Sequence, residues 1–288
     1  MASHEQISRH SSARCPTGFL RNRRQSKSQI TRRAFLIGDC YTQRVDSYFN
    51  DILLHQTLSL TSVQQLIEAG FVVIPGAVSS PRFPELSSAY DEVMNSGAGP
   101  DFKVGSTTTR IYDLVNRGPV FDDVYTYPPV LEACRHVIRE PFKLSSLLGR
   151  TLRPGSPAQE LHVDLTRDSA DAPMVGFILM IDPFTSENGA TRFVPSSQYW
   201  ADIPSDRLTD TRASFQGEIA ACGESGSLII FNGAIWHGHT ANNTHKQRRS
   251  IQGYFVRREA QSGIDFSTRM IPETLGRITP FARYLLSL

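Results

Sequence analysis

Past Phe142 the chain becomes a succession of short apolar runs cut by turn residues, and few folds accommodate that pattern. Residues 161–165, 175–181, 191–194, 227–231 and 250–256 each have the length and β-rich composition of a strand, and none is long enough for a buried helix. Asn188-Gly189 is a turn signal between two of them. The front half reads differently. Thr61 and Gln64 have the spacing of a capping box, Val63, Leu66 and Ile67 follow at helical intervals, and Gly70 is placed to end the helix. A short strand over 71–74, closed by Pro75-Gly76, and helices over 84–95 and 129–139 complete the pattern. The expectation is a helical front half wrapped onto an all-β half. With no repeat and no internal linker, it forms one domain over 46–288.

Charge divides the chain unevenly. Residues 1–44 hold nine Arg or Lys against Glu5 and Asp39, a balance of +7 within a total of +2, which leaves −5 for the remainder. An acidic body argues against a nucleic-acid surface. The Ser-, Arg- and Gln-rich stretch 1–45 reads as a disordered basic leader, with order expected to begin near Tyr48 to Leu54. Cys15, Cys40, Cys134 and Cys222 form no C-x-x-C pair, so neither a disulfide framework nor a zinc ribbon is signalled and a reduced cytoplasm fits best. Arg32-Arg33 resembles a twin-arginine export signal, but the apolar run behind it is too short. No segment approaches the roughly twenty apolar residues of a membrane span.

His162-Val163-Asp164 carries the chemistry. On a strand, residues i and i+2 face the same side, so an imidazole and a carboxylate project together. A second histidine from elsewhere would complete a two-His-one-carboxylate set, which holds Fe(II) on one face and leaves the other positions open. The apolar run 227–231 delivers two candidates just past its end, His237 and His239. Spacing alone does not choose between them. Arg248 and Arg249 open the last apolar run, where a guanidinium aimed inward could take a carboxylate by two parallel hydrogen bonds.

These motifs, in this order, resemble those of the phytanoyl-CoA dioxygenase family of Fe(II)/2-oxoglutarate oxygenases. That family shows H-x-D, an acidic-Asn-Gly turn running into P-G-S-H, then H-G-x-x-x-N with an arginine eleven residues after the histidine. Here stand His162-Val163-Asp164, then Glu187-Asn188-Gly189 running to Pro195-Ser196-Ser197-Gln198, then His237-Gly238 with Asn242 and Arg248 at the expected offset. Gly70-Phe71-Val72 with Pro75 is similar to the family's N-terminal D-G-F-V-x-x-P segment. Ser196 and Gln198 depart from the family's Gly and His.

The resemblance implies a mainly β fold with flanking helices, a double-stranded β-helix or jelly roll. It implies His162, Asp164 and His237 as the catalytic metal ligands, and Arg248, Gln159 and Thr191 as contacts to 2-oxoglutarate. His239 then becomes a wall of the substrate pocket, with Phe102, Arg110, Tyr112 and Trp200. Fe(II), 2-oxoglutarate and O2 are the implied cofactor and co-substrates. The implied reaction is hydroxylation of a C–H bond in a small apolar or amphipathic metabolite, with release of succinate and CO2. No nucleic acid or membrane partner is implied. A halogenase is disfavoured because Asp164 is present, and a zinc hydrolase leaves Arg248 unexplained. A non-catalytic jelly-roll binding protein is the alternative. Deleting residues 1–45 is expected to leave the melting temperature and succinate production unchanged; loss of either would make the leader a functional arm.

Overall fold

Strands that are apolar on both faces must be covered on both, and this chain covers one face with helices and the other with a second sheet. The computed structural model describes residues 47–288 except 53, 55, 79 and 80. The expected leader, 1–45, lies outside the described residues.

Ten strands are described: β1 Phe71–Ile74, β2 Phe102–Val104, β3 Thr108–Tyr112, β4 Phe142–Leu152, β5 Met174–Met180, β6 Thr191–Phe193, β7 Ile219–Ala221, β8 Leu228–Asn232, β9 His237–His239 and β10 Arg248–Arg257. Seven form an antiparallel sheet in the order β1-β8-β5-β10-β4-β3-β2, and three form a smaller sheet in the order β7-β6-β9. This is a jelly roll with flanking helices.

Period-two alternation sorts the side chains of the central strands. Val175, Phe177 and Leu179 of β5, Leu228 and Ile230 of β8, and Ile251 and Phe255 of β10 join the helices in the larger core cluster. Ile178, Met180, Ile229 and Phe231 point the other way, into a smaller cluster with Phe193 and Ile235 between the sheets. On β10 that inner face carries Arg248, Ser250 and Gln252, all at most 5% exposed. A polar row on the inner face of a central strand marks the interior as more than core.

The helices cover the outer face. Helix α1, Leu60–Ala69, contributes Leu66 to the core. Helix α2, Phe83–Asn95, contributes Leu86 and Tyr90, and α3, Pro128–Val137, contributes Val130, Leu131 and Cys134. Cys134 is buried and Cys222 exposed, and neither is in a disulfide. Among the described residues no helix is long and apolar enough to cross a membrane.

Several local expectations need correction. The cap of α1 is Ser59, whose hydroxyl accepts from the Ser62 amide; no Thr61–Gln64 box forms, because the helix starts one residue before Thr61. Gly70 does end α1, at φ +86°. Residues 161–165 form no strand; His162 makes an isolated bridge to His237 instead. The Asn188-Gly189 turn joins no hairpin, because β5 lies in the large sheet and β6 in the small one. It crosses between sheets, its Asn188 side chain bonded to the Thr185 amide and the Pro183 carbonyl. The longest strand, β4, carries no clean strand pattern in sequence because it mixes Lys143, Ser145, Ser146 and Arg150 into an apolar run.

Gly176 shows how tightly the interior is built. A Cβ there would meet the Phe231 ring at 2.2 Å, and that ring lies 5.0 Å from the His237 ring, centroid to centroid. Gly176→Ala is expected to cost about 1–3 kcal/mol by overpacking, which lowers the melting temperature by about 2–4 °C per kcal/mol. Calorimetric melting checks this; an unchanged Tm would mean the ring has room to move.

Candidate active site

Three potential ligands reach one point from two backbone segments. His237 opens β9. His162 is tied to it by a reciprocal pair of backbone hydrogen bonds, each 2.9 Å, and the Asp164 amide donates to the Gly233 carbonyl at 2.9 Å. His162 is therefore paired with β9 and Asp164 with the segment just before it, and both side chains reach the same point. Ligand atoms of His162, Asp164 and His237 all lie within 4.8 Å of one another. His162 Nε2 is 3.8 Å from Asp164 Oδ1, and His237 Nε2 is 3.4 Å from Oδ2.

The backbone also orients both rings. Nδ1 of His162 lies 2.9 Å from the Glu160 carbonyl and Nδ1 of His237 lies 2.9 Å from the Ile235 carbonyl. A carbonyl only accepts, so each Nδ1 carries the proton and each Nε2 keeps its lone pair toward the shared point. Burial, reinforced by His237, holds the His162 pKa down at about 4, so its ring is neutral at pH 7. Burial opposes the charge on Asp164, but His237, His162 and Arg150 together outweigh it and keep the carboxyl below its usual range; in return Asp164 raises His237 against the effect of burial. Asp164 Oδ2 is shielded from solvent and has no hydrogen-bond partner among the described residues. A buried carboxylate oxygen without a donor, beside two imidazole lone pairs, fits a divalent cation.

Arg248 stands on the inner face of β10, 1% exposed. Its guanidinium lies 4.1 Å from the Phe184 ring centre and donates to Ser250 Oγ at 3.4 Å, while its Nε has no partner. Among the described residues no carboxylate pairs with it. Arg249, one residue on, faces the opposite side and is held by Asp182 at 2.7 Å and Asp91 at 2.6 Å. Arg248 shares a small cavity with Arg150, His162, His237, Gly238, His239, Gln159, Thr191, Ile178, Phe231, Gln252 and Tyr254.

Other expected residues divide. Arg110 and His239 line a larger cavity of about 290 Å3 at the mouth, with Arg150, Gln159, Glu160, His162 and Arg212. His239 is not among the three converging residues; its Nδ1 lies 2.8 Å from the Thr240 carbonyl, and burial together with Arg150 pushes its pKa down to about 3. Tyr112 lies two residues beyond Arg110 on β3, on the same face. Phe102, Tyr112 and Trp200 line neither cavity. The Phe102 ring occupies the space beside Gly97, and Trp200 packs edge-on against Trp236 with Arg207 over it.

Two functional candidates carry little signal in the sequence. Arg150 stands on the inner face of β4 with a solvent-shielded, unpartnered Nε, and its signal was a lone charge in an apolar run. Arg192, 2% exposed, donates to the backbone carbonyls of Gln159, Thr211, Arg212 and Ala213 and to Glu218, clamping the segment that leads into His162. Ser196 and Gln198, the two departures from the family motif, hold the end of α1. Ser196 adopts φ +65° and donates to the Glu68 carbonyl, and Gln198 donates to the carbonyls of Ile67 and Glu68.

Asp164→Ala is expected to weaken nickel(II) binding by more than about 100-fold, beyond the roughly 10–100-fold cost of losing a hydrogen-bond partner behind a ligand. His239→Ala is expected to leave it nearly unchanged. Calorimetric titration of the metal-free protein checks both, and a large loss in His239→Ala would move the third ligand.

The chain is matched over residues 66–250 by the model of the phytanoyl-CoA dioxygenase family. Among curated relatives, a dioxygenase of Aspergillus fumigatus, af480, is 24% identical over 85% of this chain and 82% of its own length. The multifunctional dioxygenase prhA of Penicillium brasilianum is 28% identical over 73% of this chain and 76% of its own. Among solved structures, HygX of Streptomyces hygroscopicus, with nickel and 2-oxoglutarate bound, superposes with a TM-score of 0.61 at 20% identity, covering 72% of this chain and 90% of that one. The same protein has also been solved with hygromycin B. The epimerase SnoN, in complex with Fe3+, alpha ketoglutarate and nogalamycin RO, gives 0.58 at 16% identity over 74% and 90%. With nearly two-thirds of its length matched, the chain belongs to the phytanoyl-CoA dioxygenase family and is a 2-oxoglutarate-dependent dioxygenase that requires Fe(II) and O2.

Proposed function

We propose that the chain hydroxylates a C–H bond of a small amphipathic metabolite, using Fe(II) held by His162, Asp164 and His237 and 2-oxoglutarate seated on Arg248. The observation that carries this reading is Arg248 itself. A guanidinium buried without a carboxylate costs several kcal/mol. Here it lies in one cavity with two of the ligand histidines, where the distal carboxylate of 2-oxoglutarate would neutralise it.

When bound, Fe(II) with 2-oxoglutarate and O2 supplies the oxidation, in which one oxygen atom ends in succinate and the other in the hydroxylated product, with loss of CO2. The protein's own groups do the rest. Neutral His162 offers a lone pair without competition from a proton at pH 7, and ionised Asp164 supplies the one negative ligand. The Glu160 and Ile235 carbonyls keep both rings from rotating. The fork of Arg248 fixes the co-substrate by two parallel hydrogen bonds, with the Thr191 hydroxyl and the Gln159 amide as further polar contacts from the same lining. Ile178, Phe231 and Tyr254 exclude water from that end, which protects a reactive centre from wasted turnover. The small-molecule ligands of the structural neighbours support a small-molecule substrate here.

Arg248→Ala is expected to weaken 2-oxoglutarate binding to the iron-loaded protein by about 2–5 kcal/mol, roughly thirty-fold to several-thousand-fold. Lysine should restore it only in part, since a point charge does not copy the fork. Arg249→Ala should leave it unchanged and lower stability instead, by freeing Asp182 and Asp91. If Arg249→Ala abolishes 2-oxoglutarate binding and Arg248→Ala does not, the assignment of the cavity is wrong.

A further inference from the structure

On the face of the small sheet turned away from the cavity lies a charged side chain that the proposed chemistry does not use. Alternation along β6 sends Thr191 to the cavity lining and Phe193 to the core between the sheets, and so turns Arg192 to the opposite face. Arg192 is nevertheless buried, because two stretches of chain pack against it. Its Nη2 donates to the Gln159 carbonyl at 2.9 Å and to those of Thr211 and Arg212, each at 3.1 Å. Its Nη1 donates to the Ala213 carbonyl and to Glu218 Oε2, each at 2.9 Å.

Gly238 of β9 is the register partner of Arg192 and shares its face. A Cβ on Gly238 would stand 2.9 Å from the Gln159 carbonyl oxygen and 3.0 Å from that of Glu160. Residues 159–160 therefore cross bare backbone, with Arg192 beside them as donor. What they carry matters to the metal site, since the Glu160 carbonyl lies 2.9 Å from Nδ1 of His162 and sets the direction of its other nitrogen. Residues 211–213 are tied to the same place. The Leu161 amide donates to the Thr211 carbonyl at 2.8 Å, and the Arg212 side chain pairs with Glu160 at 3.0 Å. Arg212 and Glu160 both line the 290 Å3 cavity.

We infer that Arg192 is a positioning residue for the metal site. It holds residues 159–160 against Gly238, and through the Glu160 carbonyl it fixes how His162 meets the ion. The same fork fastens one wall of the mouth to that frame. This role rests on the proposed reading of His162 as a ligand. A flat guanidinium reaches carbonyls on two stretches at once, whereas a lysine ammonium offers its donors from a single point.

The test is cobalt(II) titration of the full-length protein, followed by the visible absorption bands that report how the ligands are arranged. Arg192→Met keeps an extended side chain and removes the donors. It is expected to alter the bands and to weaken cobalt binding by about ten-fold, the low end of what loss of a partner behind a ligating histidine costs. Arg192→Lys should restore part of both. Gly238→Ala, which pushes a methyl group under residues 159–160, should act in the same direction as Arg192→Met, and with Arg192→Lys it decides the matter where Arg192→Met does not fold. Leu131→Ala, in the helical core, should lower the melting temperature and leave affinity and bands as in the wild type. Wild-type affinity and bands in the Arg192 and Gly238 variants overturn the inference and leave the metal site standing. So does an equal loss in Leu131→Ala, which would reduce Arg192 to general stability. A wild-type protein that binds no cobalt, by contrast, removes His162 as a ligand and takes the positioning role with it.

Discussion

Two backbone hydrogen bonds between His162 and His237 hold the site together. They join a segment with no strand of its own to a three-residue strand of the small sheet, and so bring residues 75 positions apart within one coordination sphere. Everything else at the centre builds on that bridge. The Asp164 amide continues the pairing to Gly233, Arg192 clamps Gln159 upstream, and the Glu160 and Ile235 carbonyls turn each imidazole toward the common point. Ligands placed by backbone pairing are held more firmly than ligands on free loops, because the strands that position them are themselves held by the sheets.

The interior is expensive in a particular way. Arg248 lies 1% exposed without a carboxylate, and Arg150 faces Arg110 across a strand pair. Burial, and Arg150 next, press the Arg248 pKa down, while burial and then Arg110 press Arg150 down to about 10. Such groups lower the stability of the empty protein and return it on binding, since a ligand that binds only the folded state stabilises it by mass action. The large apolar core between the seven-stranded sheet and the helices is what lets the fold carry that cost.

How far the sequence could be read depended on the kind of signal. Period-two alternation placed β5, β8 and β10 and put Arg248 and Arg249 on opposite faces, because a strand offers a side chain only two directions. Gly70 could be read as a helix stop, because a backbone at φ +86° favours glycine. β4 escaped because its inner face is polar at Arg150, which breaks the apolar pattern that a strand reading follows. The bridge at His162 and the crossing turn at Asn188 escaped because both depend on partners in another sheet.

By itself the sequence determined the class of chemistry. His162 and Asp164 two residues apart, a later histidine and an arginine eleven residues beyond it are local facts of spacing, and spacing is what a motif records. It also determined that one of the neighbouring arginines faces inward. Spacing alone left His237 and His239 open and the family motif pointed to His237; the tertiary structure shows why, since both sit on the same face of β9 and His237 alone of the two converges with His162 and Asp164. Only the tertiary structure decided that Arg110 and Arg150 confront each other 40 residues apart in the chain. Register between strands is fixed by the packing of whole sheets against a shared core, and no local stretch of sequence contains that information.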